Sequence, residues 1–393
     1  MMELFSDDSR RNPFALYDQV RSLSPLFHEP KGDLWAIFDY DGVKRALTDN
    51  EVFSSHLASA ANHPTPQWMI FTDPPRHTKL RALITKAFTP KVVASLEPRI
   101  RELASELLDK NIERGQMDLA AEFSIPLPMM VIAGMIGIPA HDWPRFNRWS
   151  DAILKLSHTV RGMQTAQAES SGQAYYAVTA EMKAYLPDLI QSRRAKPQDD
   201  LLTKLIEAEV DGAKLTEDEL LGFFQLLVVG GQETTTNLIN NAILSFIENP
   251  DQLARLQASP ELLPSAIEEV LRYRSPFQFI YRGTLRDVEM HGKTIPKGKL
   301  VLVMLGSANR DPKQFSNPHQ FDITRDPNPH LAFGHGIHFC IGAPLSRLEA
   351  RLALPEIFKR MKNIEFADPQ PWEPRKSLHV HGPTRLPIRF QPA

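Results

Sequence analysis

Two places in the sequence set groups of the right type close enough together to do chemistry. The first is Phe333-Gly334-His335-Gly336-Ile337-His338-Phe339-Cys340-Ile341-Gly342, which holds the only cysteine of the 393-residue chain. A lone cysteine closes no intramolecular disulfide and supplies neither a Cys₄ nor a Cys₂His₂ zinc site. It can serve as buried filler, as a nucleophile or as a single thiolate ligand. Gly334, Gly336 and Gly342 argue for a loop that turns with positive φ or comes close to another group, a poor place for filler. Ala343 to Leu352 then read as a helix that tolerates Pro344 in its first turn. Cys340 therefore stands at a helix N-terminus, where free N–H groups and the positive dipole end favour a thiolate. His330, His335 and His338 crowd the same segment, so a His₃Cys zinc site is conceivable, although it leaves the other signals in the chain unexplained.

The second place is Val228-Val229-Gly230-Gly231-Gln232-Glu233-Thr234-Thr235-Thr236, with an acid and an alcohol adjacent at Glu233 and Thr234. It falls in the middle of a long helical pattern. Thr216-Glu217-Asp218-Glu219 is a capping box that starts the pattern, and Pro250 stops it. About 33 residues at about 1.5 Å each give a helix of roughly 50 Å. Two glycines and three threonines in its middle cost stability, about 1 kcal/mol per glycine relative to alanine. Such residues suit either a close helix crossing or a locally opened helix beside a ligand.

The rest of the chain must position these two places. A helix near Pro13–Leu23, a hairpin of Pro25–His28 and Leu34–Phe38, and a helix Tyr40–Leu47 open it. Ser54–Thr72 is rich in small residues and proline and ends in Trp68-Met69-Ile70-Phe71, which reads as a surface loop or as a pocket wall. Residues 92–210 are mostly amphipathic helix, weakest from Phe146 to Gly172. His77 and Arg81 share one face of the helix after Asp73-Pro74-Pro75. Glu269 and Arg272 stand at i, i+3 on another helix, and short strands follow at Val288–Met290, Thr294-Ile295 and Leu300–Leu305. Pro355 interrupts the helix after Cys340, which predicts a kink or break there. A net charge of −2 gives no reason to expect nucleic-acid binding. The first residues lack the apolar core of a signal peptide, and no apolar run reaches spanning length, so no membrane is expected and the cytoplasm is.

Phe-Gly-x-Gly-x-His-x-Cys-x-Gly from Phe333 to Gly342 resembles the haem-binding loop of the cytochrome P450 monooxygenases. Gly-Gly-x-Glu-Thr at 230–234 is similar to that family's oxygen-binding segment, and Glu269-x-x-Arg272 to its Glu-x-x-Arg hallmark. The resemblance runs over the whole chain in the family's order. It implies a mainly α fold with a minor β region, one domain over residues 1–393, and haem b (iron protoporphyrin IX). Cys340 is then the axial iron ligand, with Phe333 packed beneath the haem, Gly336 allowing the turn and Gly342 a further cofactor-binding position. His77, Arg81, Arg282 and His338 correspond to positions that bind the haem propionates, and Lys79, Lys86 and Lys91 to a basic proximal face. Glu233 delivers protons and Thr234 stabilises bound dioxygen. Trp68, Met69, Val229, Gly230, Gln278, Phe279, Ile280 and Val380, with the C-terminal histidines, correspond to substrate-facing positions. Arg325 completes a buried triad with Glu269 and Arg272, and residues 146–172 form a lid.

The implied reaction inserts one oxygen atom of O₂ into a fatty acid, terpenoid, polyketide or similar apolar molecule. Electrons come from a separate ferredoxin or flavodoxin with its reductase, and the chain acts as a monomer. A peroxide-driven oxygenase or a non-catalytic haem-thiolate sensor is the alternative, and Glu233 with Thr234 argues against both. Gln232 has no role in this reading.

Overall fold

Thr216 begins the long helix where the sequence places it. Its hydroxyl accepts from the Glu219 N–H at 3.2 Å and the Glu219 carboxylate accepts from the Thr216 N–H at 2.9 Å, a complete capping box. In this computed structural model, which describes residues 6–30, 32–56, 68–157, 166–368 and 372–393, the helix runs unbroken over Glu217–Glu248. Parts of two expected features, residues 57–67 of the proline-rich segment and 158–165 of the lid, lie outside the described residues. Leu238, Ile239, Ala242, Ile243 and Leu244 of the long helix are fully buried, so this element is core on every side over its second half. Helices Pro126–Ile136, Trp143–Ser157, Leu263–Tyr273 and Ala343–Arg360 pack around it.

The two glycines divide the roles that the sequence left as alternatives. A Cβ at Gly231 would lie 2.1 Å from Ile132 Cδ1 on the crossing helix Pro126–Ile136, whereas a Cβ at Gly230 would meet nothing within 4 Å. Gly231 therefore serves a close helix crossing and Gly230 faces open space. No break in the helix accompanies the open face, so the expected local opening is absent. Gly231→Ala is expected to destabilise the fold by about 1–3 kcal/mol through overpacking. Gly230→Ala should stabilise it by up to about 1 kcal/mol through helix propensity alone. Paired urea unfolding curves check the opposite signs.

The β structure is minor and peripheral. One sheet runs in the order Leu26–Glu29, Leu34–Ile37, Leu300–Val303, Ile280–Thr284, Phe53–Ser54. Leu34–Ile37 and Leu300–Val303 pair in parallel, with Ala36 opposite Leu302, and the other pairs are antiparallel. A second sheet joins Gln116–Asp118, Pro387–Pro392 and Met361–Phe366. Its middle strand is the chain's last, which ties the C-terminus to the helical body. No helix among the described residues is long and apolar enough to cross a membrane.

Pro355 does not break its helix, which continues from Ala343 to Arg360. Proline removes the N–H that would bond the carbonyl of Arg351. Both residues lie on the exposed face, so water can take that carbonyl and the helix survives.

Candidate functional site

The loop before Ala343–Arg360 is folded by its own backbone. Cys340 N–H donates to Phe333 O at 2.9 Å and Phe339 N–H to Gly336 O at 3.0 Å. Gly336 has φ +71°, and a Cβ there would lie 2.8 Å from Leu47 O, so both conformation and contact require glycine. Cys340 is half-buried at the start of the helix. Burial pushes its thiol up, while the N–H groups of Gly342 and Ala343 and the cations of Arg81 and Arg347 pull the other way. The helix N-terminus thus supplies the expected donors, yet burial outweighs them. A metal cation at Sγ reverses that balance, because a coordinated thiol is deprotonated outright. Phe333 is half-buried, with the Arg347 guanidinium 4.5 Å from its ring centroid.

Four basic groups converge beside this loop. The rings of His77 and His338 lie 4.0 Å apart between centroids, and neither buried Nε2 has a hydrogen-bond partner. Arg282 is 5% exposed and donates from Nη1 to the Tyr281 carbonyl at 2.9 Å. Burial lowers its pKa to about 10. His338 is lowered to about 3, first by burial and then by His77, Arg282 and Arg81. His77 and Arg81 are lowered first by burial as well. Buried donors that repel one another require an anion. Two carboxylates against His77, Arg81, Arg282 and His338, with a metal at Cys340, describe the needs of an iron porphyrin, so the residues fit that group. Lys79, Lys86 and Lys91 are exposed on neighbouring turns.

On the long helix, Thr234 donates its hydroxyl to Gly230 O, one turn back, beside the open face of Gly230. Glu233 is 2% exposed and points elsewhere: its Oε1 lies 3.4 Å from Arg375 Nη1. Arg375 Nε also donates to Asn237 Oδ1 at 3.1 Å, fixing the guanidinium against two turns of the helix. Nothing in the local sequence announces Arg375, which reaches Glu233 only through the fold. Gln232 gains an explanation, since its Oε1 accepts from the Ser150 hydroxyl and ties the long helix to Trp143–Ser157.

The structure describes the surroundings of the expected pocket residues. Trp68 and Met69 are buried, which sets aside the surface-loop reading and leaves the pocket-wall reading open to them. The Trp68 N–H donates to Gln225 Oε1 at 3.0 Å, and the Tyr175 hydroxyl donates to the same oxygen at 2.8 Å. Only Ile70 of that aromatic-rich run is exposed. Gln278 donates from Nε2 to Ser275 O at 2.7 Å and packs over Gly306, with its buried Oε1 unpartnered. Phe279 packs with Phe14, Tyr17 and Phe38 and stacks on His379, because strand alternation sends it away from the face shared by Ile280 and Arg282. His379 and His381 are likewise used within the protein, His381 against Phe14 and the Arg11 carbonyl. Val380 is buried and bridges Phe277. Val229 is 8% exposed next to the open Gly230.

The supporting ions form two adjacent networks. Glu269 and Arg272 are fully buried and paired through both guanidinium arms, at 2.7 and 2.8 Å. Arg325 Nε, the Asp322 N–H and Asn328 Nδ2 also donate to Glu269, at 3.0–3.3 Å. Arg272 then clamps the carbonyls of Asn309, Pro318 and Gln320. The neighbouring Glu268 accepts both arms of Arg347 at 2.7 Å and His330 at 2.9 Å, a network the sequence did not announce. His330 is thus committed to a carboxylate, and no cluster of metal ligands occurs among the described residues. Burial opposes the charge on Glu268, but Arg347 and His330 hold its carboxyl at about 2.

That shift has a sign. A carboxyl held below its unfolded value of 4.5 contributes stability that is complete above that value and is lost as pH falls towards about 2. Urea midpoints of the wild type should therefore fall between about pH 5 and about pH 3 more steeply than those of Arg347→Gln.

With this geometry described, comparison with known proteins is specific. The cytochrome P450 family model matches residues 30–384. Cytochrome P450 109 of Bacillus spizizenii is 39% identical over 99% of this chain and 95% of its own. Cytochrome P450 monooxygenase PikC of Streptomyces venezuelae is 38% identical over 98% of this chain and 92% of its own. Among solved structures, CYP109Q5 from Chondromyces apiculatus superposes with a TM-score of 0.89 at 41% identity, covering 99% and 98% of the two chains. CYP109E1 from Bacillus megaterium in complex with corticosterone gives 0.88 at 39% identity, covering 97% and 99%.

Proposed function

Because the chain belongs to the cytochrome P450 family and is a haem b monooxygenase of it, we propose that Cys340 Sγ would hold the haem iron and that Glu233 and Thr234 would hold and deliver protons from the long helix. His77, Arg81, Arg282 and His338 hold the haem carboxylates, Phe333 and Gly342 shape the loop beneath, and residues 1–393 act as one domain. The observations that carry this reading are the unpartnered Nε2 atoms of His77 and His338 and the buried Arg282, which has no carboxylate within 4.0 Å among the described residues, beside a lone cysteine at a helix N-terminus.

When bound, the haem supplies the iron that binds dioxygen and transfers one oxygen atom to substrate. The chain's own residues do the rest. The N–H groups of Gly342 and Ala343 stabilise negative charge on Cys340 Sγ. The Glu269–Arg272–Arg325 triad fixes the segment leading into the loop rather than adding net stability. Thr234, held by Gly230 O, presents its hydroxyl at the open face. Glu233 holds a proton-exchanging carboxylate one residue away, oriented by Arg375. Val229 and Gly230 bring no polar side chain to the turn before Thr234.

The substrate class is an apolar molecule such as a steroid, fatty acid, terpenoid or polyketide. The corticosterone in the Bacillus megaterium relative supports a cavity of that scale. Electrons arrive from a separate ferredoxin or flavodoxin with its reductase, and the enzyme works as a cytoplasmic monomer. Testosterone and long-chain fatty acids, titrated into the haem-loaded protein, should shift the haem spin state. A compound that does so should be hydroxylated when NADH, ferredoxin and reductase are added. Spin-shifting compounds that never yield an oxygenated product would point to a ligand sensor.

A further inference from the structure

Six arginines are buried among the described residues: Arg21, Arg193, Arg272, Arg274, Arg282 and Arg310. Four of them have a carboxylate within 4.0 Å, namely Asp18 and Asp311 for Arg21, Asp200 for Arg193, Glu269 for Arg272 and Glu248 for Arg274. Arg282 and Arg310 have none among the described residues. A buried guanidinium without a counter-ion is costly, so such a deficit marks a place where an anion belongs. At Arg282 the haem carboxylates account for it. Arg310 stands apart from the residues around Cys340, His77 and Thr234 and needs another explanation.

Arg310 is 5% exposed and lies between two rings, 3.7 Å from the Phe14 centroid and 3.9 Å from the Tyr273 centroid. Its Nε and Nη2 both donate to the Tyr273 carbonyl, at 3.1 and 2.6 Å. Burial lowers its pKa to about 9, which leaves it charged at neutral pH, and the cations of Arg272 and Arg274 add to the pull. It borders a cavity of about 310 Å³ whose wall also includes Arg11, Arg274, Glu248 and Trp372. That volume is at the lower end for small-molecule sites. Glu248 is paired with Arg274, whose buried Nε has no acceptor. Arg11 stands at the rim, donating from Nε to the Trp372 carbonyl at 2.8 Å and pairing with Asp8. Three guanidinium groups thus face a space whose wall holds one carboxylate, and Phe14, Tyr273 and Trp372 give that space flat apolar sides.

We propose that this cavity is a second ligand site, distinct from the haem pocket, that binds a small anion through Arg310 with Arg274 and Arg11 beside it. The chemistry fits a carboxylate or phosphate carried by a compact molecule with a planar apolar body. The planar guanidinium of Arg310 is preorganised by its two rings for bidentate recognition of such a group. The site lies where the long helix ends, at Glu248, and where the helix carrying Glu269 and Arg272 ends, at Tyr273.

The test uses the haem-loaded full chain, with inorganic phosphate and benzoate as probes against chloride at equal ionic strength. Calorimetric titration and the thermal midpoint report binding, and the Soret band reports whether a probe has entered the haem pocket. At least one probe should bind saturably at one site, raise the midpoint and leave the Soret band unchanged. Response to phosphate alone assigns a phosphate ligand, and response to benzoate assigns an aromatic carboxylate. Arg310→Gln should weaken that binding at least tenfold. Should that variant not fold, Arg11→Gln at the rim should weaken it several-fold. The inference is overturned if neither probe binds the wild type beyond the chloride control, if binding moves the Soret band, or if binding is unchanged in the variants.

Discussion

Glu269→Ala is expected to destabilise the protein by about 3–5 kcal/mol, because it strands buried positive charge. The carboxylate accepts from Arg272 through two nitrogens, from Arg325, from the Asp322 backbone and from Asn328. Removing it leaves Arg272, fully buried, with carbonyl acceptors only. Domains are stable by about 5–15 kcal/mol in total, so the loss takes a large share of the folded population. Arg272→Lys should fail in the same direction, since an ammonium cannot fork across both carboxylate oxygens. Urea unfolding and the haem content of the purified protein measure both effects. An unchanged midpoint for Glu269→Ala would show that the triad is not what fixes the segment before Cys340.

Glu233→Gln is expected to lower product formation by about 10²-fold or more with substrate binding intact, the usual scale for loss of a positioned proton donor. Thr234→Ala should act differently. It keeps the carboxylate but loses the hydroxyl at the open face, so NADH consumption continues while most of the electrons appear as hydrogen peroxide. Arg375 separates the two effects, because it holds Glu233 and does not touch Thr234. Arg375→Gln should change the pH profile of turnover without producing the Thr234→Ala peroxide yield. Full coupling in Thr234→Ala would contradict the role proposed for its hydroxyl.

Local signals carried most of the fold. The capping box at Thr216 and the stop at Pro250 set the long helix within a residue at each end, since caps are chemistry between neighbours. Gly334 and Gly336 of the Cys340 loop, at φ +73° and +71°, were legible for the same reason, whereas Gly342 has φ −81° and an ordinary contact at its Cβ position. Groups that meet only through tertiary packing were not. Arg375 on Glu233, Arg347 with His330 on Glu268, and Gln225 beneath Trp68 have no local pattern that announces them. Strand phase was a further limit. Phe279 and Ile280 were expected to face a ligand together, but consecutive residues of an extended chain point to opposite sides, while Gln278 lies before the strand and turns to Ser275 O over Gly306. Ile280 shares the face of Arg282, and Phe279 packs on the other side with Phe14, Tyr17 and Phe38. Pro355 was read as a kink or break because its cost was judged without knowing that Arg351 faces solvent, and the helix is not broken there.

Cys340 as the axial ligand is the claim on which every other role depends, and one spectrum tests it. Reduced wild-type protein exposed to carbon monoxide should show the red-shifted Soret band of a thiolate-ligated haem, and Cys340→His should replace it with an imidazole-type band. A wild type without the thiolate band, or a Cys340→His protein that keeps it, would contradict the account.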